Sequence, residues 1–82
     1  MEPRSPYHAV FGEAVKAIRK EAKLTQVEVA ERMSPPTPAT FVSDIERGVR
    51  NISLGTMLSL ADALGVKLVT IINRADRLES RS

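Results

Sequence analysis

Arg47 and Arg50 stand three positions apart, just beyond the run Asp44-Ile45-Glu46, and bring two guanidinium groups to one short stretch of chain. A guanidinium is always charged and fork-shaped, and it suits phosphate oxygens or the acceptor edge of a base. The residues before them are small or polar: Ala39, Thr40, Phe41, Ser43 and Asp44. Thr40 offers a hydroxyl and a methyl, Ala39 can touch a thymine methyl, and Asp44 can accept from a cytosine amino group. An aspartate near phosphates is repelled unless an arginine neutralises it. Gln26 falls in the first turn of an earlier helix, where its amide and the free backbone N–H groups can meet a phosphate. Together these types point to contact with duplex DNA. The alternatives are two solvated arginines on a loop and a solvated Gln26 on an ordinary surface helix.

Other chemistries find little to build on. His8 is the one histidine of the chain and stands near its start, so no Ser-His-Asp or histidine metal constellation can be assembled, and a surface or cap role fits it better. Asp44 and Glu46 lie two positions apart on a helix, face different ways and do not form an acid/base pair. There are no cysteines, which excludes disulfides and thiolate metal sites. No glycine-rich phosphate loop occurs. No catalytic residue, metal ligand or cofactor is therefore expected. A net charge of +2 is too small for a polybasic coat, so the placement of the arginines matters more than their number.

The elements that must position these residues are clearly marked. Thr25 and Glu28 have the spacing of a capping box, and Val29, Ala30 and Met33 follow on one helical face. Ala30 is small enough to let the next helix cross closely. In Ser34-Pro35-Pro36-Thr37-Pro38, proline after Ser34 ends the helix at Met33. Thr37 then reads as an N-cap with Pro38 at the first helical position, predicting a second helix over 38–47 with Val42 and Ile45 inward and Gly48 ending it. Thr37 joins the candidate binding set at the head of that helix. Two short helices joined by a turn can carry one helix into the DNA major groove.

Around this pair, a first helix is predicted from Pro6 or Tyr7 to Ala22, with Phe11, Ala14, Val15, Ile18 and Ala22 on its apolar face and Lys16, Lys20 and Lys23 on its solvated one. Ser53 caps a fourth helix, Gly65 ends it, and Leu54, Met57, Leu58, Ala61 and Leu64 form its expected buried stripe. Residues 67–72 are ambiguous. Leu68, Ile71 and Ile72 fit a fifth helix, whereas the β-branched run over 69–72 suits a short strand. The expected organisation is a flexible N-terminus over 1–6, one domain over 7–73 and a polar, frayed tail over 74–82. The 82 residues, 43% of them hydrophobic, suit a single folded domain with a modest core.

At this level the chain resembles the phage-repressor and Cro-like helix-turn-helix regulators, also called XRE-type. The resemblance rests on Leu24-Thr25-Gln26, Val29-Ala30-Glu31-Arg32, Val42-Ser43-Asp44-Ile45-Glu46-Arg47-Gly48 and Leu60-Ala61-Asp62-Ala63-Leu64-Gly65-Val66, and spans about residues 11–72. It implies an all-α compact bundle of four to five short helices, the lambda-repressor-like domain, that binds double-stranded DNA sequence-specifically and usually as a homodimer. It further implies that Gln26 and Asn51 contact phosphates, that Ala39, Thr40, Phe41, Ser43 and Asp44 face or flank base edges, and that Arg19 pairs with Glu46. Two departures stand out. The turn is longer than the family norm and proline-rich, and the reading positions lack the Gln, Arg or Asn that make bidentate base contacts. Shape and backbone contacts should then carry more of the specificity.

Two functions follow as expectations. The first is a homodimeric transcriptional regulator on a short palindromic operator, in the manner of the controllers of restriction–modification genes, with Leu68, Ile71 and Ile72 as the dimer interface. The second is an antitoxin-type interaction module whose partner is a toxin and which autoregulates its operon; polymerase is another possible protein partner. With no apolar signal core and no stretch long enough to span a bilayer, a cytoplasmic, nucleoid-associated location is expected.

Overall fold

Phe11, Ala14, Val15 and Ile18 recur at helical spacing, and all four are buried on one face of a helix, α1 (Pro6–Glu21). The computed structural model describes residues 6–80. Among these it contains four further helices and no strand: α2 (Gln26–Arg32), α3 (Ala39–Glu46), α4 (Leu54–Leu64) and α5 (Leu68–Ser80). The architecture is all-α. α1 packs chiefly on α5 and also on α3, α2 packs on α3 and α4, and α4 packs on α5. One apolar core joins all five, with Val15, Val29, Val42, Leu60 and Ile71 fully buried at its centre.

The end of α3 lies very close against α1. A Cβ at Gly12 would run into the carbonyl oxygens of Ile45 and Glu46, so glycine is the residue that lets the two backbones approach. Gly48 does the same from the other side. It sits at φ 72, and a Cβ there would be 2.7 Å from the Ala9 Cα. Neither contact is visible in local sequence, yet both fix how α3 is held.

Of the two readings of residues 67–72 the helix holds, from Leu68 onward: Ile71 and Ala75 bury one face of α5 at i, i+4, whereas a lone strand would leave its backbone groups unpaired. Other expectations change. The helix runs on to Ser80, so the frayed tail expected over 74–82 is ordered as far as 80. Arg74 Nη1 and Nη2 donate to the two carboxylate oxygens of Glu21 on α1, at 2.9 and 3.0 Å, and Leu78 packs against the core. Of the flexible N-terminus expected over 1–6, residues 1–5 lie outside the described residues, as do 81–82; α1 itself begins at Pro6. Ala22 is exposed, because α1 stops at Glu21 and the chain turns at Lys23 with φ 60. On α4 the buried residues are Leu60, Ala61, Ala63 and Leu64 and Met57 packs partly buried against the core, while Leu54 and Leu58 face outward.

Candidate nucleic-acid interface

The helix pair starts from a fully formed capping box. Thr25 Oγ1 accepts from Glu28 N at 3.0 Å, and Thr25 N donates to Glu28 Oε1 at 2.8 Å. That bond from the Thr25 N–H, more than any charge, holds the Glu28 carboxyl below its ordinary range. The turn that follows is longer than two helices need, but it is tied at both ends. Ser34 N donates to Ser59 Oγ of α4 at 2.9 Å, and Thr37 N donates to the Ala30 carbonyl at 3.1 Å. The Ser34–Pro35 peptide is cis.

α3 begins one residue later than the proline pattern suggests. Pro38 is the N-cap, and no side chain caps the helix. The Thr37 hydroxyl instead faces the Met33 sulfur at 3.8 Å and the Pro38 carbonyl at 3.3 Å, so it does not serve the first-turn N–H groups. Thr37 is half-buried in the turn.

The side of α3 turned to the protein carries a closed polar network. Arg19 Nε donates to Glu46 Oε2 at 2.6 Å, and Arg19 Nη2 donates to Oε1 at 3.1 Å. A further nitrogen, Nη1, donates to the Leu24 carbonyl at 2.9 Å. Gln26 Nε2 completes the set by donating to Glu46 Oε1 at 3.0 Å. The Arg19 and Glu46 side chains are 11% and 3% exposed, so water competes little for these bonds. Gln26 therefore commits one amide N–H inward, to the carboxylate that Arg19 also holds.

The opposite side carries a second arginine–carboxylate cluster of different character. Arg47 Nη2 donates to Asp44 Oδ1 at 2.6 Å, and Arg50 Nη2 donates to Asp44 Oδ2 at 3.2 Å. Arg50 also lies over the Phe41 ring, 4.8 Å from its centroid. The Arg47 and Arg50 side chains are 64% and 45% exposed. Hydrogen bonds from Arg47 and then Arg50 keep the Asp44 carboxyl below its ordinary range, so it is ionised at neutral pH. Thr40 and Asn51 are exposed beside this cluster, while Ala39, Ser43 and Phe41 are half-buried along it. The Asp44–Arg47 pair could have been read from its i, i+3 spacing. The arrival of Arg50 could not, because it depends on the backbone reversal at Gly48.

The residues expected at a dimer interface do not form one surface. Ile71 is 0% exposed and belongs to the core, whereas Leu68 is half-buried and Ile72 is 44% exposed. The apolar residues that do face outward on α4 and α5 are Leu54, Leu58, Val69 and Ile72. Between α1, α4 and α5 lies a cavity of about 340 Å³, with Phe11, Met57, Ile72 and Ala75 in its wall. His8, expected in a surface or cap role, is half-buried and lines it too, and its Nδ1 is buried without a hydrogen-bond partner. Among the described residues, no group of three or more His, Asp or Glu could hold a metal ion. Nor is any single helix long and apolar enough to cross a membrane.

Comparison with known proteins agrees with this fold. Residues 15–71 match the helix-turn-helix family model. The immunity repressor protein of Bacillus phage phi105 is 44% identical over 61 residues, which are 74% of this chain and 41% of that protein. The chain thus spans less than half the length of that relative. The control protein C.BamHI of Bacillus amyloliquefaciens is 37% identical over 59 residues, covering 71% of this chain and 70% of that protein. Among solved structures, the restriction–modification controller protein C.Esp1396I, a tetramer in complex with its natural 35 base-pair operator, superposes with a TM-score of 0.80 at 25% identity. It covers 89% of this chain and 93% of its own.

Proposed function

Because the chain belongs to the helix-turn-helix family, we propose that it is a sequence-specific, duplex-DNA-binding transcriptional regulator that acts as a homodimer on a short palindromic operator. The observation that carries this reading is the two-sided character of α3. Arg19, Glu46 and Gln26 hold it from behind, while Thr40, Asp44, Arg47 and Arg50 stand on its outer side and just past its end. A helix so fixed can enter the major groove without rearranging, its arginines meeting the backbone on entry. In this reading Gln26 and Asn51 contact phosphates and Ala39, Phe41 and Ser43 flank the reading residues, with Thr37 at the turn.

The outward Leu54, Leu58, Val69 and Ile72 supply an apolar surface for a second copy. A two-fold pair would set two copies of α3 about 34 Å apart, one DNA turn. The similar proteins named as an immunity repressor, a control protein and an operator-bound controller support this reading. It assigns the chain no catalytic step and places it with cytoplasmic DNA. A toxin-binding role has no observation of its own in its favour.

The test is selection from a randomised duplex pool by purified protein at about physiological salt, followed by sequencing. Enrichment of a motif with two-fold symmetry is the expected result. A flat pool with only weak, salt-sensitive binding would overturn it.

A further inference from the structure

We propose that Asp44 is the principal specificity-determining residue of the interface. Its carboxylate restrains Arg47 and Arg50 from arbitrary phosphates and itself accepts a hydrogen bond from a cytosine amino group. This rests on the DNA-binding reading above and says how discrimination is achieved by a face with no Gln or Asn on the outer side of α3.

The two guanidinium groups reach different oxygens of one carboxylate, at 2.6 and 3.2 Å. Each oxygen therefore uses one lone pair on an arginine and keeps another. The Asp44 side chain is 26% exposed, so the two arginines do not seal it from solvent. The cluster's charge is reduced from two positive charges to one. Free arginines would bind any phosphate, because that attraction carries no sequence information. A carboxylate between them lowers that attraction everywhere on the duplex. Stacking on Phe41 holds Arg50 in place, so the restraint does not rest on one exposed ion pair.

The same carboxylate is selective toward base edges. It is an acceptor, and guanine and thymine present acceptors in the major groove, which it opposes. Adenine offers a donor beside an acceptor. Cytosine presents an amino donor with no acceptor beside it, and so is the base Asp44 favours. At a cognate site the amino group takes a vacant lone pair, and the arginines keep other N–H groups for the flanking phosphates. At a non-cognate site the carboxylate meets acceptors and the arginines remain partly neutralised.

Asp44→Asn and Asp44→Glu separate charge from geometry. Binding is measured across a salt series to the duplex enriched by selection and to a scrambled duplex, with the unfolding midpoint of each variant recorded. Asp44→Asn should tighten scrambled-duplex binding and steepen its dependence of log affinity on log salt by about one unit. The ratio of selected to scrambled affinity should fall by about tenfold or more. Asp44→Glu keeps the charge, so scrambled binding should stay weak, while the displaced carboxylate loses affinity for the selected duplex. Unfolding midpoints should not move, since the cluster is exposed. If Asp44→Asn leaves both the ratio and the scrambled-duplex slope unchanged, the inference is overturned and the DNA-binding reading stands. A wild-type protein with no preferred duplex overturns both.

Discussion

α3 carries arginine–carboxylate pairs on opposite sides, alike in chemistry and unlike in surroundings. Arg19–Glu46 lies among backbone and side-chain partners with almost no water, whereas Arg47–Asp44–Arg50 lies in solvent. Exposed pairs contribute about 0–1 kcal/mol, because water and salt replace the partner at little cost. Removing one member of a buried pair strands the other and costs about 3–5 kcal/mol. The inner pair is thus a lock and the outer one an exchangeable contact. A helix that reads DNA needs both: an orientation that does not change, and charges that can change partners.

The comparison breaks first at Glu46. Glu46→Ala should lower unfolding free energy by about 3–5 kcal/mol, because the largely buried Arg19 loses its counter-charge and keeps only the Leu24 carbonyl, and Gln26 loses its acceptor. Chemical denaturation measures this, and a loss below about 1 kcal/mol would mean that the inner pair behaves like a surface one. Gly12→Ala is next. Its methyl would press on the Ile45 and Glu46 carbonyls, and about 1–3 kcal/mol should be lost on the same denaturation curve. Ile72→Asp sharpens the contrast on α5. Ile72 is 44% exposed beside the fully buried Ile71, so the change should leave stability within about 0.5 kcal/mol while sedimentation shifts toward monomer. An unchanged dimer would place the interface elsewhere.

Much of this was legible in the sequence because its causes are local. Thr25 with Glu28, Ser53 before α4 and glycine at 65 each announce a helix end by their own backbone chemistry, and the structure has a cap at each. The elements of the helix-turn-helix followed from such signals. What escaped depends on residues distant in sequence. Leucines are so frequent on α4 that periodicity alone could not choose Leu60 over Leu54 and Leu58, and the choice is made by where α2 and α5 cover the helix. The polar stretch after Ile72 looked frayed because Arg74 finds Glu21 only across 53 positions of chain. At Ile71 the sequence offered an apolar residue needing a partner, and the partner is the protein's own core. Gly12 carries no local signal at all, since the carbonyls it admits belong to α3. In the candidate site, residue types identified the outer arginines, but their shared carboxylate and the Phe41 platform needed three dimensions.

The most direct test of the account is the salt dependence of Arg47→Ala binding to the selected duplex, with unfolding measured on the same preparation. The Arg47 side chain is 64% exposed, so the unfolding free energy should stay within about 0.5 kcal/mol of wild type. Affinity should fall, and the slope of log affinity against log salt should become shallower by about one unit as one phosphate contact is lost. An unchanged affinity and slope would show that the outer side of α3 does not dock on DNA. A comparable loss of stability would show that the two sides of α3 are not divided as described.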